Sequence, residues 1–364
     1  MTFNRSRALR LTAMSAALAL TVGAFAGSAA MAQDEELNGE GVSIELIVKE
    51  NINPFWVTMI GAFNAKNDEL GSSGNACWGE IDPDPEGQST CIENAIARGA
   101  TTILIAPANE GVNQAIETAR DNDVVVIALD TAPDPAELVD LTFATDNFQA
   151  GLKIGEWARA TLGEEAAAEA VIGFINIDPT RPVVGVKRNQ GFMQGFGIDV
   201  GDVTVIGDED DPRIAGQEDG NGNQENSVQA MELLLQKNPD INVLYTINEP
   251  TARGAIQAME TFGLTPDDIL IVSVDGGCEA MVDIDNGIIN ATSMQFPTSM
   301  VELGVEWGIR NAQTGAVPNP EDSPFYVEGN DIFNTGVELV TNAPVDGVES
   351  IDTMQGADIC WGEA

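Results

Sequence analysis

The chain has 364 residues, with 58 acidic against 16 basic side chains and a formal net charge of −42. A surface this negative repels phosphate backbones and anionic lipid, which argues against nucleic acid or a membrane as partner. The chain contains no histidine, which removes Ser-His-Asp and Cys-His catalysis and histidine-based zinc sites. We interpret the acidic excess as an adaptation to a saline environment, where screening makes self-repulsion tolerable.

The first 32 residues have the pattern of a secretory signal peptide. Three arginines within the first ten residues precede an apolar stretch over 11–30, which ends in Ala30-Met31-Ala32. The stretch is short and rich in alanine, unlike a membrane anchor, and the pattern predicts cleavage before Gln33. No cysteine follows the cut to carry a lipid, so the sequence predicts a protein released outside the cytoplasmic membrane.

Short apolar runs alternate with longer amphipathic segments along the rest of the chain. The runs are near-continuously apolar, as expected of parallel strands covered on both faces, and lie at 43–48, 101–106, 124–129, 171–177, 203–207, 241–247, 269–274 and 289–294. Amphipathic patterns predict helices at 55–70, 111–122, 149–162, 227–237 and 251–262. This repeated order predicts the α/β class with doubly wound parallel sheets.

The segment 208–226 is rich in Asp, Glu, Gly and Asn, and we predict that it is a loop. Asp219, Asn221, Asn223 and Glu225 alternate as calcium ligands would, but Gln224 stands where a calcium loop needs glycine. A solvated acidic loop is the simpler interpretation, and no metal site is predicted.

The four cysteines all lie in the exported part of the chain and predict two disulfides in an oxidising compartment. Three pairings are possible. We favour Cys77 with Cys91 and Cys278 with Cys360, because each pair then stays within one lobe of a two-lobed α/β fold.

Polar and aromatic residues follow successive predicted strands, at the end where open parallel sheets bind their ligands. The candidates are Asn53, Phe55, Trp56, Asp130, Asn248, Asp275 and Gln295, with Arg188 ahead of Gly191-Phe192. Carboxylates, amides and a guanidinium engage neighbouring hydroxyls, and aromatic rings pack on the apolar faces of sugars. Singly, each could be a helix cap or a core residue. The remaining tryptophans, Trp78, Trp157, Trp307 and Trp361, are expected to pack in the core or on the surface.

The chain resembles the periplasmic sugar-binding proteins of the ribose/galactose type that feed ABC importers. The motifs that carry this resemblance are Asn53-Pro54-Phe55-Trp56, Leu129-Asp130, Ala144-Thr145-Asp146-Asn147, Arg188-x-x-Gly191-Phe192, Ile247-Asn248-Glu249, Val274-Asp275-Gly276 and Ala291-Thr292-x-x-Gln295-x-Pro297. Within that family it is most similar to the fructose-binding proteins of alphaproteobacterial importers, through the strings at 207–214, 246–250, 272–278, 347–353 and 360–362.

The resemblance implies a type I periplasmic binding protein fold, with two lobes joined by three hinge crossovers near 145–146, 295–296 and 334. The N-terminal lobe would comprise 43–145 and 296–333, and the C-terminal lobe 146–295 and 334–364. It assigns stacking to Phe55 and Trp56 and hydroxyl binding to the six polar candidates. Two departures concern the ligand. Ala106-Pro107-Ala108 stands where the ribose-type proteins have an asparagine, and Asp210-Asp211-Pro212 replaces their C-lobe aromatic stacker.

The function expected from this resemblance is a monomeric receptor that binds one monosaccharide, with fructose favoured, and delivers it to an inner-membrane permease. No catalysis, cofactor or metal is expected. Ribose, mannose and polyols such as inositol are alternative ligands, and sugar sensing for a chemoreceptor is an alternative role. A repressor-type regulator would need a basic DNA-binding head, and a glycosidase would need a matched carboxylate pair, for which Asp130 or Asp275 could serve.

Overall fold

The alternating apolar runs and amphipathic segments of the sequence form two six-stranded sheets, each flanked by helices. The computed structural model describes residues 37–177 and 182–363, so the predicted signal peptide lies outside the described residues. The strands are β1 (Ile44–Val48), β2 (Ala76–Trp78), β3 (Thr102–Ile105), β4 (Val125–Leu129), β5 (Leu141–Ala144), β6 (Ile172–Asn176), β7 (Ile214–Asp219), β8 (Val243–Thr246), β9 (Leu270–Asp275), β10 (Ala291–Met294), β11 (Phe333–Asn334) and β12 (Glu338–Val340).

The helices lie between the strands and cover both faces of each sheet. They are α1 (Pro54–Leu70), α2 (Pro85–Arg98), α3 (Asn113–Asp121), α4 (Asn147–Ala168), α5 (Pro182–Phe196), α6 (Gln224–Lys237), α7 (Glu249–Thr261), α8 (Cys278–Asp285), α9 (Pro297–Thr314) and α10 (Thr353–Ala357). In the described part of the chain, none of them is long and apolar enough to cross a membrane.

The first sheet has the strand order β2-β1-β3-β4-β5-β11, and all its neighbouring strands are parallel. Its core is divided between two faces, as the twofold periodicity of a strand requires. Leu46 and Val48 of β1 pack with residues of α1 and α9, whereas Ile47 packs with residues of α2 and α3. This double cover explains why the strand is apolar along nearly its whole length.

The second sheet has the order β7-β6-β8-β9-β10-β12 and is parallel except for β12, which runs antiparallel to β10. Phe174 of β6 packs in a core with α4 and α5, and its neighbour Ile175 packs in a second core with α6, α7 and α8. The two sheets therefore repeat one architecture, and the predicted class of two doubly wound parallel-sheet lobes is confirmed.

The chain passes between the two lobes three times. It leaves the first sheet after β5 and returns after β10, where α9 packs on β3, β4 and β5. It crosses again between β11, the edge of the first sheet, and β12, the edge of the second. These passages confirm the three predicted crossovers.

Two local predictions between α5 and α6 are wrong. The run at 203–207 forms turns rather than a strand, and the side chains of Val203 and Val205 are exposed. The predicted loop 208–226 instead contains the strand β7, paired with β6 alone, and the start of α6. An edge strand tolerates a polar sequence because one of its sides has no neighbouring strand, so β7 lacks the apolar signal of the central strands.

Both predicted disulfides are confirmed. Cys77 of β2 joins Cys91 of α2 within the first lobe. Cys278 at the start of α8 joins Cys360, which follows α10, and α10 packs on α8 in the second lobe. The second bond fixes the end of the described chain beside the loop that follows β9.

Candidate functional site

All eight candidate residues, seven at predicted strand ends and Arg188 within α5, line one small cavity between the two lobes. The cavity measures about 60 Å³. The first lobe contributes Asn53, Phe55, Trp56 and Asp130, and the second lobe contributes Arg188, Asn248, Asp275 and Gln295. The loops that follow strands of both sheets meet at this point, as the geometry of open parallel sheets leads one to expect.

The guanidinium of Arg188 is held by three partners at the centre of the cavity. Its Nε donates to Asn147 Oδ1 at 2.7 Å and its Nη1 donates to the Ile247 carbonyl at 2.9 Å. The same Nη1 lies 3.1 Å from Asp275 Oδ1. With two acceptors besides Asp275, the fork keeps a fixed orientation towards the cavity.

Asp275 is the last residue of β9 and is held in an unusual conformation. Its φ of 115° is rarely adopted by residues other than glycine, and its Oδ1 also accepts a hydrogen bond from Gln295 Nε2 at 2.6 Å. Burial raises the pKa of Asp275 to about 6, the charge of Asp130 adds to this shift, and Arg188 opposes it. A strained, desolvated carboxylate of this kind is typical of a binding site.

Glu249, the first residue of α7, is buried close to Asp275. Its Oε1 accepts hydrogen bonds from the Gly276 amide at 2.9 Å and from Thr292 Oγ1 at 2.5 Å. Burial raises the pKa of Glu249 to about 8, and the charge of Asp275 adds to the shift. Burial therefore favours the neutral form of this side chain, and its two hydrogen bonds brace the turn after Asp275.

Asp130 is an acidic residue of the first lobe at the cavity and also has a positive φ, of 63°. Thr131 Oγ1 donates to Asp130 Oδ2 at 2.7 Å, and Lys49 Nζ donates to Thr131 Oγ1 at 3.0 Å. The same ammonium lies 5.3 Å from the centre of the Trp56 ring. Lys49 is thus a buried cation that joins the acidic and the aromatic parts of this wall.

The aromatic pair cannot present two parallel faces to one ligand. The Phe55 and Trp56 rings are 4.8 Å apart and nearly perpendicular, at 85°. Only one of them can lie flat on a sugar ring in a given pose, and the other then offers its edge. The stacking role stays a prediction, and this geometry allows it to only one ring at a time.

Asn53 and Asn248 act as helix caps as well as lining the cavity. Asn53 Oδ1 accepts from the Phe55 amide at the start of α1. Asn248 Oδ1 accepts from the Thr251 amide at the start of α7, and its Nδ2 donates to the Gly222 carbonyl. Capping places both amides at the cavity edge. Their contact with a ligand stays a prediction.

Sequence reasoning missed several residues that line the cavity, namely Lys49, Asp82, Ile177, Val184, Asn221, Gly222 and Ile247. Lys49 carried a signal, because it directly follows β1. Asn221 lies in the segment predicted to be a solvated loop, where Asp219 Oδ1 accepts from the Asn221 amide and Asn223 caps α6. Among the residues that the structure describes, no group of three or more candidate ligands could hold a metal ion.

The replacement of the aromatic stacker of the ribose-type proteins by Asp210-Asp211-Pro212 stays a prediction. These residues do not line the cavity, and Asp211 instead pairs with Arg213. The second lobe presents aliphatic side chains to the cavity, from Ile177, Val184 and Ile247.

Trp361 packs in an apolar cluster of the first lobe, as expected, and is the third aromatic residue close to the site. Its ring meets that of Phe55 edge-on, with centroids 5.4 Å apart. It also lines a larger groove of about 460 Å³, which shares Asn53 and Asp275 with the small cavity. The groove lies between the start of α1 and the starts of α7 and α8.

Comparison with known proteins gives a consistent result. A family model described as a periplasmic binding protein domain matches residues 44–316. The ribose import binding protein of Escherichia coli (strain K12) is 26% identical over 289 residues, which cover 79% of this chain and 88% of that protein. The corresponding protein of Haemophilus influenzae is 29% identical over 297 residues, covering 81% and 91%. Other matching proteins are named for the import of D-apiose and the binding of D-allose.

Solved structures agree in fold. A galactofuranose binding protein aligns with a TM-score of 0.69 and 18% identity, over 87% of this chain and 97% of that one. The two-lobed architecture is therefore that of known binding proteins.

Proposed function

The chain belongs to the periplasmic binding protein domain family, and from that premise we propose that it is the sugar-binding component of an ABC importer. It is accordingly a binding protein and not an enzyme. One observation carries the proposal: carboxylates of the two lobes, Asp130 and Asp275, meet across a buried cavity beside a fixed guanidinium and an aromatic pair. The names of its relatives, which bind or import ribose, apiose and allose, support the class of ligand.

The cavity explains how a sugar would be held without chemistry. Each hydroxyl group can donate to a carboxylate and accept from Arg188, so the charged set matches a neutral polyol. A hydroxyl that is missing or inverted would leave a buried charged group unpaired, and this penalty discriminates between sugars. Micromolar affinity requires about −8 kcal/mol, which several charge-assisted hydrogen bonds and one stacked ring can supply.

Binding would be coupled to closure of the two lobes. We take the lobes as 43–145 with 296–333 and 146–295 with 334–364. Because Asp130 belongs to the first and Asp275 to the second, a sugar that contacts both favours the arrangement in which they are close. This closed form is the state that a membrane permease would recognise. We propose that the exported receptor acts as a monomer in the periplasm.

Fructose is our proposed sugar. Its support is the similarity of the strings at 207–214, 246–250, 272–278 and 347–353 to the fructose-binding proteins of alphaproteobacterial importers. Ribose has the support of the matched relatives, and the same polar set would also accept mannose or a polyol.

Isothermal titration of the ligand-stripped protein with fructose, ribose, allose, mannose and inositol tests the proposal. We expect micromolar or tighter binding of fructose and much weaker binding of the others. A response to a different member of the panel would preserve the receptor and replace its ligand. The absence of heat with every sugar would contradict the sugar-binding function itself.

A further inference from the structure

The described chain ends in a segment, residues 358–363, that lies where the two lobes meet. We call it the terminal segment. Its covalent anchor is the bond between Cys360 and Cys278 in the second lobe. The Cys278 amide, two residues after Gly276, donates to the Trp361 carbonyl at 2.8 Å. The segment is therefore fastened by a covalent and a hydrogen bond to the start of α8, three residues beyond Asp275.

The Trp361 side chain nevertheless packs with the other lobe. It is only 8% exposed and belongs to the apolar cluster of the first lobe that contains Phe55 and Trp56. Its ring meets the Phe55 ring at 87°, the favourable edge-to-face arrangement. The indole is thus anchored in one lobe and buried in the other, beside an aromatic ring of the cavity.

A third contact joins Trp361 to the crossover between the lobes. Its Nε1 donates to the Gln295 carbonyl at 2.9 Å, and the Gln295 side chain donates to Asp275 Oδ1 at 2.6 Å. The Trp361 indole consequently contacts both the Phe55 ring and Gln295, whose side chain donates to Asp275.

We propose that Trp361, held by the Cys278–Cys360 disulfide, is a positioning residue that sets Phe55 and Gln295 for ligand binding across the lobe boundary. The inference rests on the proposed sugar-binding function. It predicts that loss of the indole, or of its disulfide anchor, weakens sugar binding even though Trp361 itself does not line the small cavity. A purely structural tryptophan would instead lower the melting temperature without changing affinity.

Trp157 provides a matched control for the indole. It is also buried in a core of the second lobe, and its Nε1 also donates to a main-chain carbonyl, that of Ala343, but it does not line the cavity. The Cys77–Cys91 disulfide is the corresponding control for the anchor, because it lies wholly within the first lobe and does not contact the site. Each test variant therefore has a partner with the same chemical change.

The experiment compares Trp361→Phe with Trp157→Phe, and Cys278→Ser/Cys360→Ser with Cys77→Ser/Cys91→Ser. Sugar affinity is measured by titration and the melting temperature is recorded for each variant. We expect the Trp361 and Cys278/Cys360 variants to bind the wild type's sugar roughly tenfold more weakly, in the range of coupling between contacting residues. The two controls should lose stability and keep their affinity.

Unchanged affinity in Trp361→Phe and in the Cys278/Cys360 variant would overturn the inference, as would an equal loss in the controls. If the wild type binds no sugar, the proposed function fails, and amide hydrogen exchange of residues 275–278 then decides the positioning role. Faster exchange there in Trp361→Phe than in Trp157→Phe supports it, and equal exchange refutes it.

Discussion

Replacing Asp275 by alanine tests the centre of the proposed site, because this carboxylate joins Arg188 and Gln295 at the cavity wall. The substitution removes the acceptor of two close contacts, one of 3.1 Å to Arg188 and one of 2.6 Å to Gln295. A sugar hydroxyl that donates to Asp275 would lose a charge-assisted hydrogen bond. The Gln295 side-chain amide would also lose its acceptor in the complex. Together these effects should weaken sugar binding by about 2–4 kcal/mol, or roughly 30- to 700-fold.

The fold should survive this change. Arg188 keeps its hydrogen bonds to Asn147 and Ile247, so its charge is not left without acceptors. Burial already raises the pKa of Asp275, which means that its charged form is disfavoured before any ligand arrives. Removing it therefore relieves part of the penalty of burial. Asp275→Asn, which keeps the shape, provides a second variant if the alanine protein is unstable.

Titration calorimetry with the sugar of the wild type measures the affinity, and thermal unfolding checks the fold. Asp283→Ala is the matched control, since Asp283 is likewise buried in the second lobe and paired with an arginine, Arg253, but does not line the cavity. If both Asp275 variants bind the sugar with wild-type affinity, Asp275 is not part of the binding site. An equal loss in Asp283→Ala would show that the effect comes from general destabilisation.

Three further predictions concern charge. Glu249 has its pKa raised from 4.5 to about 8 in the folded protein, so its stabilising contribution is complete below pH 4.5 and is lost as pH rises towards 8. In urea unfolding, the free energy of unfolding of the wild type should fall, relative to that of Glu249→Gln, by about 1.4 kcal/mol per pH unit in that window. Equal pH dependence of the two free energies would contradict this prediction. Lys49→Met should weaken sugar binding by about 1–2 kcal/mol in calorimetry, because the contacts with Trp56 and Thr131 are lost. The control Lys66→Met, in α1, should bind the sugar as the wild type does. Equal affinities of the two variants would refute the role of Lys49. Finally, the net charge of −42 predicts a melting temperature that rises with added salt, and indifference to salt would refute the interpretation of a saline habitat.

The central strands were predictable because burial on both faces demands an apolar sequence. Strands β1, β3 and β4 lie within their predicted runs, and the polar residues that follow parallel strands converge for the same topological reason. The prediction of a strand at 203–207 was wrong because an apolar sequence alone does not provide a neighbouring strand to pair with. The opposite failure, β7, is a polar edge strand whose identity depends on backbone pairing with β6.

Within the site, the sequence supplied residue types but not their partners. The bond from Gln295 to Asp275 joins residues 20 positions apart, and no local pattern encodes it. The same is true of Trp361, which reaches Phe55 only because the tertiary fold returns the end of the chain to the first lobe. Lys49 could have been included by applying the strand-end rule to the residue directly after β1.

The order in which the sheets acquire their strands has a consequence for biosynthesis. The edge strands that complete the two sheets, β11 and β12, lie between residues 333 and 340. The first lobe also requires α9, at 297–314. A chain that emerges with its amino terminus first therefore cannot finish either lobe until more than nine-tenths of its length is out. For the exported receptor proposed above, such a delay would keep the polypeptide unfolded while it is translocated, and late truncation would damage both lobes at once.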